Sequence, residues 1–295
     1  AMETRKPQAR LHPRMLLSGS SSQALAAALA AETGERLGRV TYDSFPDGEQ
    51  MVTVPEGVAG ERAVVVASTP TSDAHVEVLQ LQDAAREAGA SEVVTVLPYM
   101  GYARQDEAFE AGQPVSARAV ARAISTGADR VLTVNPHEDG VLDFFDVPAV
   151  GVDAAPQLAE PLPTDLADPV FLAPDSGATE LVESVRDAYG AGVTDHFEKV
   201  RHSGSEVTVE PSDVETAGRD VVVTDDIVAT GSTMSEAIGA LEDPARVFVA
   251  CVHPLLAGNA QLKLANAGVD AVYGTDTIER AVSEVSAAPA VADEL

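Results

Sequence analysis

Short apolar runs alternate with segments of helical periodicity along most of the chain. From Met15 onward, MLLSG, VTYDSF, MVTV and ERAVVVAST predict strands, and SSQALAAALAAETG predicts a helix after the first of them. DAHVEVLQLQDAAREAGA has its apolar residues at helical spacing and predicts a helix that ends at Gly89. SEVVTVLPYMGYARQD predicts a strand followed by a charged loop, PVSARAVARAISTG a helix, and ADRVLTVNPH a strand that ends at His137. This order predicts an α/β fold with a mostly parallel sheet and ligands near the carboxyl ends of its strands.

The same pattern begins again in the second half of the chain, after a proline-rich stretch. QLAEPLPTDLADP contains three prolines and no strong periodicity, which indicates a domain boundary close to residue 155. The segments that start at Arg62 and Arg219 share a charged residue, a Val-rich strand, a small polar turn and a helix. This similarity predicts a duplicated domain, although one so short also arises by chance. We expect a disordered extension at 1–14, domains at 15–155 and 156–285, and a tail at 286–295 that packs back on the first domain.

The charge of the chain limits its partners. With 47 acidic and 19 basic residues, the formal net charge is −28, which argues against binding nucleic acid or anionic membranes through a general electrostatic field. The lysines are only Lys6, Lys199 and Lys263. An acidic, lysine-poor and aromatic-poor surface is typical of halophilic proteins, because at about 1 M salt the Debye length is roughly 3 Å and self-repulsion is screened. An acidic protein from a mesophile is the alternative.

Cysteine use and hydropathy bear on the compartment. Cys251 is the only cysteine, so the chain has no disulfide framework and no thiolate metal cluster, which predicts a reducing environment. No run approaches about 18 consecutive apolar residues, and the N-terminus lacks the apolar core of a signal peptide. We therefore expect a soluble, cytoplasmic protein.

The stretch VVVTDDIVATGSTMSEAIGAL, residues 221–241, combines an acidic pair with a turn of small residues before a helix. Backbone N–H groups and hydroxyls of this turn can converge on a phosphate at the positive end of the helix. Asp225 and Asp226, at the strand end, can accept hydrogen bonds from the vicinal hydroxyls of a sugar. Together these features predict a sugar 5-phosphate site, and a capped helix after an acidic turn is the alternative. The turn consists of Ala229, Thr230, Gly231, Ser232 and Thr233.

The motif D-D-x-x-x-T-G-x-T after a Val-rich strand resembles that of type I phosphoribosyltransferases and of ribose-phosphate pyrophosphokinases (PRPP synthases). The segments FPDGE, PYMGYARQD, PVSARAVARAI, HEDGVLDFFDVPA, APDSG, FEKVR and GTDTI are similar to those of the second family and follow the same order. The resemblance covers nearly everything from Met15 onward. It implies two tandem phosphoribosyltransferase type I-like domains, each a mostly parallel sheet flanked by helices.

The resemblance also implies an activity. A ribose-phosphate pyrophosphokinase transfers the diphosphoryl group of ATP to the C1 hydroxyl of ribose 5-phosphate, giving PRPP and AMP. It implies Mg²⁺ as the cofactor and a homo-oligomer, a dimer or larger, whose nucleotide site forms partly across a subunit boundary. Two alternatives remain: a phosphoribosyltransferase that consumes PRPP, and a catalytically silent regulatory homologue.

Matching positions give the site residues that the resemblance implies. Lys199 and Arg201, in a polar segment between predicted elements, match the mobile catalytic loop, although a solvated basic turn is the alternative. His137 and Asp175 match magnesium-associated positions, and a histidine at a strand end with a structural partner is the alternative for His137. The residues implied to contact ATP are Phe45, Asp47, Glu49, Arg104, Gln105 and Asp106, and those of the diphosphate loop are Asp175, Ser176 and Gly177.

Several positions depart from the pattern of the family, including Leu181 beside Glu180 and the NPH segment that ends at His137. Ala229 stands where relatives often have an acidic or hydroxyl residue, and Glu107, Glu110 and Glu180 stand where relatives carry basic ones. These departures put in doubt the strength of diphosphate binding at low salt, and they leave the implied catalytic residues intact.

Overall fold

The computed structural model describes residues 14–201, 207–210 and 214–295, and for residues 198–201 and 207–210 it describes the backbone alone. Residues 1–13 of the expected extension therefore lie outside the described residues. Two sheets of six parallel strands each form the frame of the molecule, and helices flank both. The predicted fold class is confirmed.

The first sheet has the strand order β2-β1-β5-β6-β7-β8. Strands β3 and β4, predicted as VTYDSF and MVTV, form an antiparallel hairpin apart from this sheet, because its turn PDGE is too short for a parallel crossover. The elements of this half are β1 (Arg14–Ser18), α1 (Gln23–Thr33), β2 (Arg36–Leu37), β3 (Thr41–Ser44), β4 (Gln50–Thr53), β5 (Arg62–Val66), α2 (Ser72–Glu87), β6 (Glu92–Leu97), α3 (Ser116–Ser125), β7 (Arg130–Val134) and β8 (Ala149–Val152).

The second sheet has the strand order β10-β9-β13-β14-β15-β16. The polar segment that contains Lys199 and Arg201, for which no strand is predicted from the sequence, includes an antiparallel pair, β11 and β12, outside this sheet. The elements of this half are β9 (Val170–Ala173), α4 (Thr179–Tyr189), β10 (Val193–His196), β11 (Glu198–Arg201), β12 (Val207–Glu210), β13 (Asp220–Ile227), α5 (Ser232–Gly239), β14 (Arg246–His253), α6 (Ala260–Asn266), β15 (Ala271–Thr275), β16 (Ser283–Val285) and α7 (Ala288–Glu294).

Strand β13 explains why a Val-rich run ends in carboxylates. Val221, Val222 and Val223 are fully buried, as expected for a parallel strand covered on both faces. The strand begins at Asp220, whose buried carboxylate accepts hydrogen bonds from the Arg246 guanidinium at 2.6 and 3.0 Å. Its carboxyl end leaves the covered part of the sheet, so the two aspartates are only partly buried.

The two sheets share one hydrophobic core. Buried side chains of the first sheet, such as Leu16 and Leu132, belong to the same cluster as Phe171 and Phe248 of the second. Helix α7 adds Val291 to this cluster and packs against α1. Among the described helices, none is long and apolar enough to cross a bilayer.

Candidate active site

A histidine and a carboxylate from different sheets meet at the carboxyl ends of their strands. His137 follows β7 and Asp226 belongs to β13, and the Nδ1 atom of His137 lies 2.8 Å from Oδ2 of Asp226. The hydrogen bond to Asp226 raises the pKa of His137 above its usual value and outweighs the opposite effect of burial. Nδ1 therefore donates to the carboxylate, and the second ring nitrogen, Nε2, bonds to no described residue.

The pKa values of the two aspartates of β13 are shifted in opposite directions. Burial, together with the negative charge of Asp226, raises the pKa of Asp225 well above its usual range. Burial acts on Asp226 in the same direction, but the hydrogen bond and positive charge of His137 outweigh it and lower the pKa of Asp226. Of the two, Asp226 is therefore the stronger acid.

An acidic cavity of about 630 Å³ opens beside this pair. Asp175 and Gly177 reach it from the loop after β9, in which Gly177 N donates to Oδ1 of Asp175 at 3.0 Å. Ser176, predicted in the same loop, is exposed and does not line the cavity. The carboxylates that line the cavity are those of Glu138, Asp139, Asp153, Asp175, Glu180 and Asp226.

A buried histidine supports the loop that carries His137. His253, at the end of β14, places Nε2 3.1 Å from the carbonyl oxygen of Asn135. Because a carbonyl oxygen only accepts, Nε2 is the donor, and Nδ1 accepts from the Thr277 hydroxyl at 2.9 Å. Burial lowers the pKa of His253, in agreement with this neutral form. Asn135 has a φ of +34°, rare for a residue with a side chain, and His253 holds it in place.

The turn at residues 229–233 presents free donors at the start of α5. None of the backbone N–H groups of these five residues donates to another described residue. Gly231 has a φ of +72°, and a Cβ there would lie 3.2 Å from the carbonyl oxygen of Ala260 in α6. Backbone hydrogen bonds from Leu256 to Val228 and from Ala257 to Ala229, at 2.9 and 2.8 Å, fix the turn against the loop before α6.

Lys263 is a cation that the sequence analysis missed at this turn. Its Nζ atom donates to Oγ of Ser232 at 2.7 Å, across 31 residues of sequence. The composition offered one indication that Lys263 has a specific role, since it is one of only three lysines in the sequence. Its neighbours in the sequence gave no indication, because the contact depends on how α6 packs against α5.

A second cavity, of about 500 Å³, lies beside the loop after β6. Arg104 and Gln105 line it together with Tyr102 and Phe109. Arg104 is close enough to the first site that its charge acts against protonation of His137. Gln105 accepts a hydrogen bond from the Ser116 hydroxyl, which ties the loop to the start of α3.

The remaining predicted nucleotide contacts do not converge on this cavity within one chain. Phe45, Asp47 and Glu49 occupy the exposed turn of the β3–β4 hairpin, where Phe45 N donates to the carbonyl oxygen of Glu49 at 2.7 Å. Neither these three residues nor Asp106 lines either cavity.

The two predicted catalytic cations lie on β11. Lys199 is opposite Val209 and Arg201 is opposite Val207 in the antiparallel pair with β12. The side chains of both residues are outside the described part of the structure, so their assigned role stays a prediction.

Comparison with known proteins places the chain in a family. Residues 14–127 match the family described as the N-terminal domain of ribose phosphate pyrophosphokinase. A ribose-phosphate pyrophosphokinase of Halobacterium salinarum is 84% identical over 281 residues, 95% of this chain and 100% of that protein. One from Methanosarcina mazei is 42% identical and covers 100% of this chain and 99% of its own length.

A solved structure agrees with the sequence matches. The phosphoribosylpyrophosphate synthetase of Mycobacterium smegmatis has a TM-score of 0.82 and 30% identity, and the match covers 96% of this chain and 97% of that one. The chain therefore has the overall fold of that synthetase. The chain belongs to the ribose-phosphate pyrophosphokinase family.

Proposed function

We propose that the chain transfers the diphosphoryl group of ATP to the C1 hydroxyl of ribose 5-phosphate, giving PRPP and AMP. The observation that carries this proposal is the contact between His137 and Asp226. It joins the carboxylate pair suited to sugar hydroxyls with a histidine beside an acidic cavity, at the point where strands of both sheets end.

Ribose 5-phosphate binds along the end of β13. The free N–H groups of residues 229–233 receive the 5-phosphate at the positive end of α5. The carboxyl groups of Asp225 and Asp226, at the end of the strand, hydrogen-bond the vicinal hydroxyls of the ribose. This arrangement orients C1 and its hydroxyl toward the acidic cavity.

The residues around His137 fit a magnesium ion. Metal-binding histidines usually donate their second ring N–H to a carboxylate, which is the bond that Nδ1 makes to Asp226. No group of three or more His, Cys, Asp or Glu residues within the described ranges forms a complete metal cage. This agrees with Mg²⁺, which keeps several waters and uses few protein ligands together with substrate phosphates. His137 and Asp175 would hold the ion, which neutralises charge on the ATP phosphates when bound.

ATP occupies the cavity beside Arg104 and Gln105, with Asp106 in the same loop. A guanidinium pairs with phosphate oxygens in two parallel hydrogen bonds, which suits Arg104 to this position. Phe45, Asp47 and Glu49 complete the adenine site from a second copy of the chain, since they are exposed and none of them lines the cavity. The active form is therefore a homo-oligomer.

The transfer forms a bond between the C1 oxygen and the β-phosphorus of ATP, and it breaks the bond between the β-phosphorus and the oxygen that bridges to the α-phosphorus. AMP leaves with that oxygen, and the hydroxyl proton passes to solvent. Lys199 and Arg201 stabilise the negative charge that develops on the bridging oxygen.

The buried, unpaired Cys251 supports a reducing, cytoplasmic location for the reaction.

A ³¹P NMR time course tests the reaction. Protein is mixed with ribose 5-phosphate, ATP and Mg²⁺ in concentrated KCl, and Lys199→Ala is run beside Arg122→Ala, which removes an exposed cation from α3 as a matched control. We expect AMP and a C1 diphosphate ester from the wild type and the control, and a loss of about 10²-fold or more in Lys199→Ala. In a parallel sample that contains PRPP and a nucleobase, release of pyrophosphate without AMP formation would indicate a phosphoribosyltransferase. Intact ATP binding without any product would indicate a silent regulatory homologue.

A further inference from the structure

Helix α6 directs one lysine at the turn that precedes α5. Ala260, in its first turn, is fully buried, and its carbonyl oxygen would lie 3.2 Å from a Cβ at Gly231. Lys263 is three residues further on and therefore lies on the same face of the helix. Leu262 is 67% exposed, which shows that the opposite face is directed to solvent.

The ammonium group of Lys263 is only partly used by the protein. It donates to Oγ of Ser232 at 2.7 Å, and an ammonium has three donor hydrogens. In the described part of the chain, this group pairs with no carboxylate. Many described arginines do pair with one, among them Arg36, Arg62, Arg86, Arg186, Arg219 and Arg246. The charge of Lys263 therefore remains available at the turn, beside the free N–H groups of residues 229–233.

A phosphate monoester supplies the missing partner. It carries about −1.5 to −2 charges at neutral pH, and the N–H groups and hydroxyls of the turn are neutral donors. Lysine binds phosphate as a point charge and needs no fixed orientation, so one ammonium hydrogen can stay on Ser232 while another reaches a phosphate oxygen. Charge neutralisation at this point would offset the repulsion that a dianion meets on approaching an acidic protein.

We infer that Lys263 is a binding residue for the 5-phosphate of the sugar substrate and supplies the positive charge that the turn itself lacks. This inference rests on the proposed function, because it assigns the group that the turn holds. Lys263 contacts the end of the substrate remote from C1, so it contributes to binding of ribose 5-phosphate and has no part in the transfer.

Titration calorimetry with ribose 5-phosphate alone, followed by steady-state kinetics, tests this role in the full-length protein. Lys263→Met removes the charge, Lys263→Arg keeps it, and Arg122→Met removes an exposed cation elsewhere. We expect Lys263→Met to weaken ribose 5-phosphate binding and raise its KM about tenfold or more, which corresponds to about 1.4 kcal/mol. KM for ATP and kcat should stay within about threefold, and Lys263→Arg and Arg122→Met should bind ribose 5-phosphate like the wild type.

Binding measurements at several KCl concentrations distinguish a direct contact between Lys263 and the phosphate from a long-range electrostatic effect. At about 1 M KCl the Debye length is roughly 3 Å, so a penalty from direct contact persists there and a long-range effect disappears. The inference is overturned if Lys263→Met binds ribose 5-phosphate as tightly as the wild type does. It is also overturned if Lys263→Met and Lys263→Arg both bind ribose 5-phosphate and ATP more weakly and both unfold at a lower midpoint. A wild type that neither binds ribose 5-phosphate nor forms AMP would instead contradict the proposed function itself.

Discussion

Replacement of two glycines by alanine tests whether the turn at residues 229–233 depends on its close approach to α6. Gly231 has a φ of +72°, and an added Cβ would lie 3.2 Å from the carbonyl oxygen and 3.4 Å from Cα of Ala260. Gly34, at the end of α1, has a φ of +71°, and an added Cβ would have no atom within 4 Å. The two substitutions therefore share the backbone strain, and only Gly231→Ala adds crowding.

The expected losses of stability and activity follow from the backbone strain and the crowding. A residue with a side chain in the left-handed region of backbone conformation costs about 1–2 kcal/mol, so the free energy of unfolding should fall by this amount in both variants. Ordinary van der Waals contact begins at about 3.4 Å, so Gly231→Ala must move the turn or α6 by a few tenths of an ångström. Since a misplacement of about 1 Å can cost about 10²-fold in rate, this shift should cost roughly fivefold in kcat/KM for ribose 5-phosphate.

Urea unfolding and steady-state kinetics in about 1 M KCl, where surface charges are screened, measure both quantities. Both variants should be less stable than the wild type, and only Gly231→Ala should show a raised KM for ribose 5-phosphate with a normal KM for ATP. The reasoning is refuted if Gly34→Ala raises that KM equally, or if Gly231→Ala leaves it unchanged.

Other predictions concern stability, positioning and reactivity. Because Arg246 lowers the pKa of Asp220, the stabilisation by this pair is complete above the unfolded pKa of about 3.9 and is lost as pH falls through the lower folded value. Asp220→Asn should lower the free energy of unfolding at neutral pH, measured by urea unfolding, and this loss should shrink in acid, where the carboxyl group of the wild type is protonated; equal losses at both pH values would contradict this. His253→Leu should leave the carbonyl oxygen of Asn135 without its donor, lower the free energy of unfolding by about 1–3 kcal/mol and lower kcat. His253→Gln, which keeps a donor, should recover much of the stability and of kcat, and equal effects of the two substitutions would count against a positioning role for His253. Burial raises the pKa of Cys251, so iodoacetamide should modify it only in denaturant, as mass spectrometry would report, and rapid modification of native protein would contradict its burial.

Local pattern predicted the elements that carry the site. Strand β13 was recognisable because a parallel strand buried on both faces is a nearly continuous apolar run, and polar residues follow where it leaves the sheet. The turn before α5 was recognisable for a similar reason, since small residues and glycine are required where the chain reverses against a neighbouring helix. The antiparallel pair of β11 and β12 was not, because strands of four residues each are too short to show a clear periodicity.

Contacts between distant segments could not be predicted in the same way. His137 and Asp226 are 89 residues apart, and their contact depends on how two sheets are placed against each other. The bond from Lys263 to Ser232 depends on the packing angle of two short helices. No periodicity encodes either placement, so neither the contact between His137 and Asp226 nor the bond from Lys263 to Ser232 could be predicted from the sequence.

The common core of the two sheets has a consequence for how the protein loses its structure. Interfaces between domains that are small and polar allow each domain to melt alone, whereas a large apolar one does not. Here Leu132 and Phe248, from opposite halves, are buried in one cluster, and α7 of the second half lies on α1 of the first. Separating the halves would expose this cluster to water. The duplicated architecture should therefore behave as one cooperative unit, with a single heat-absorption peak in calorimetry.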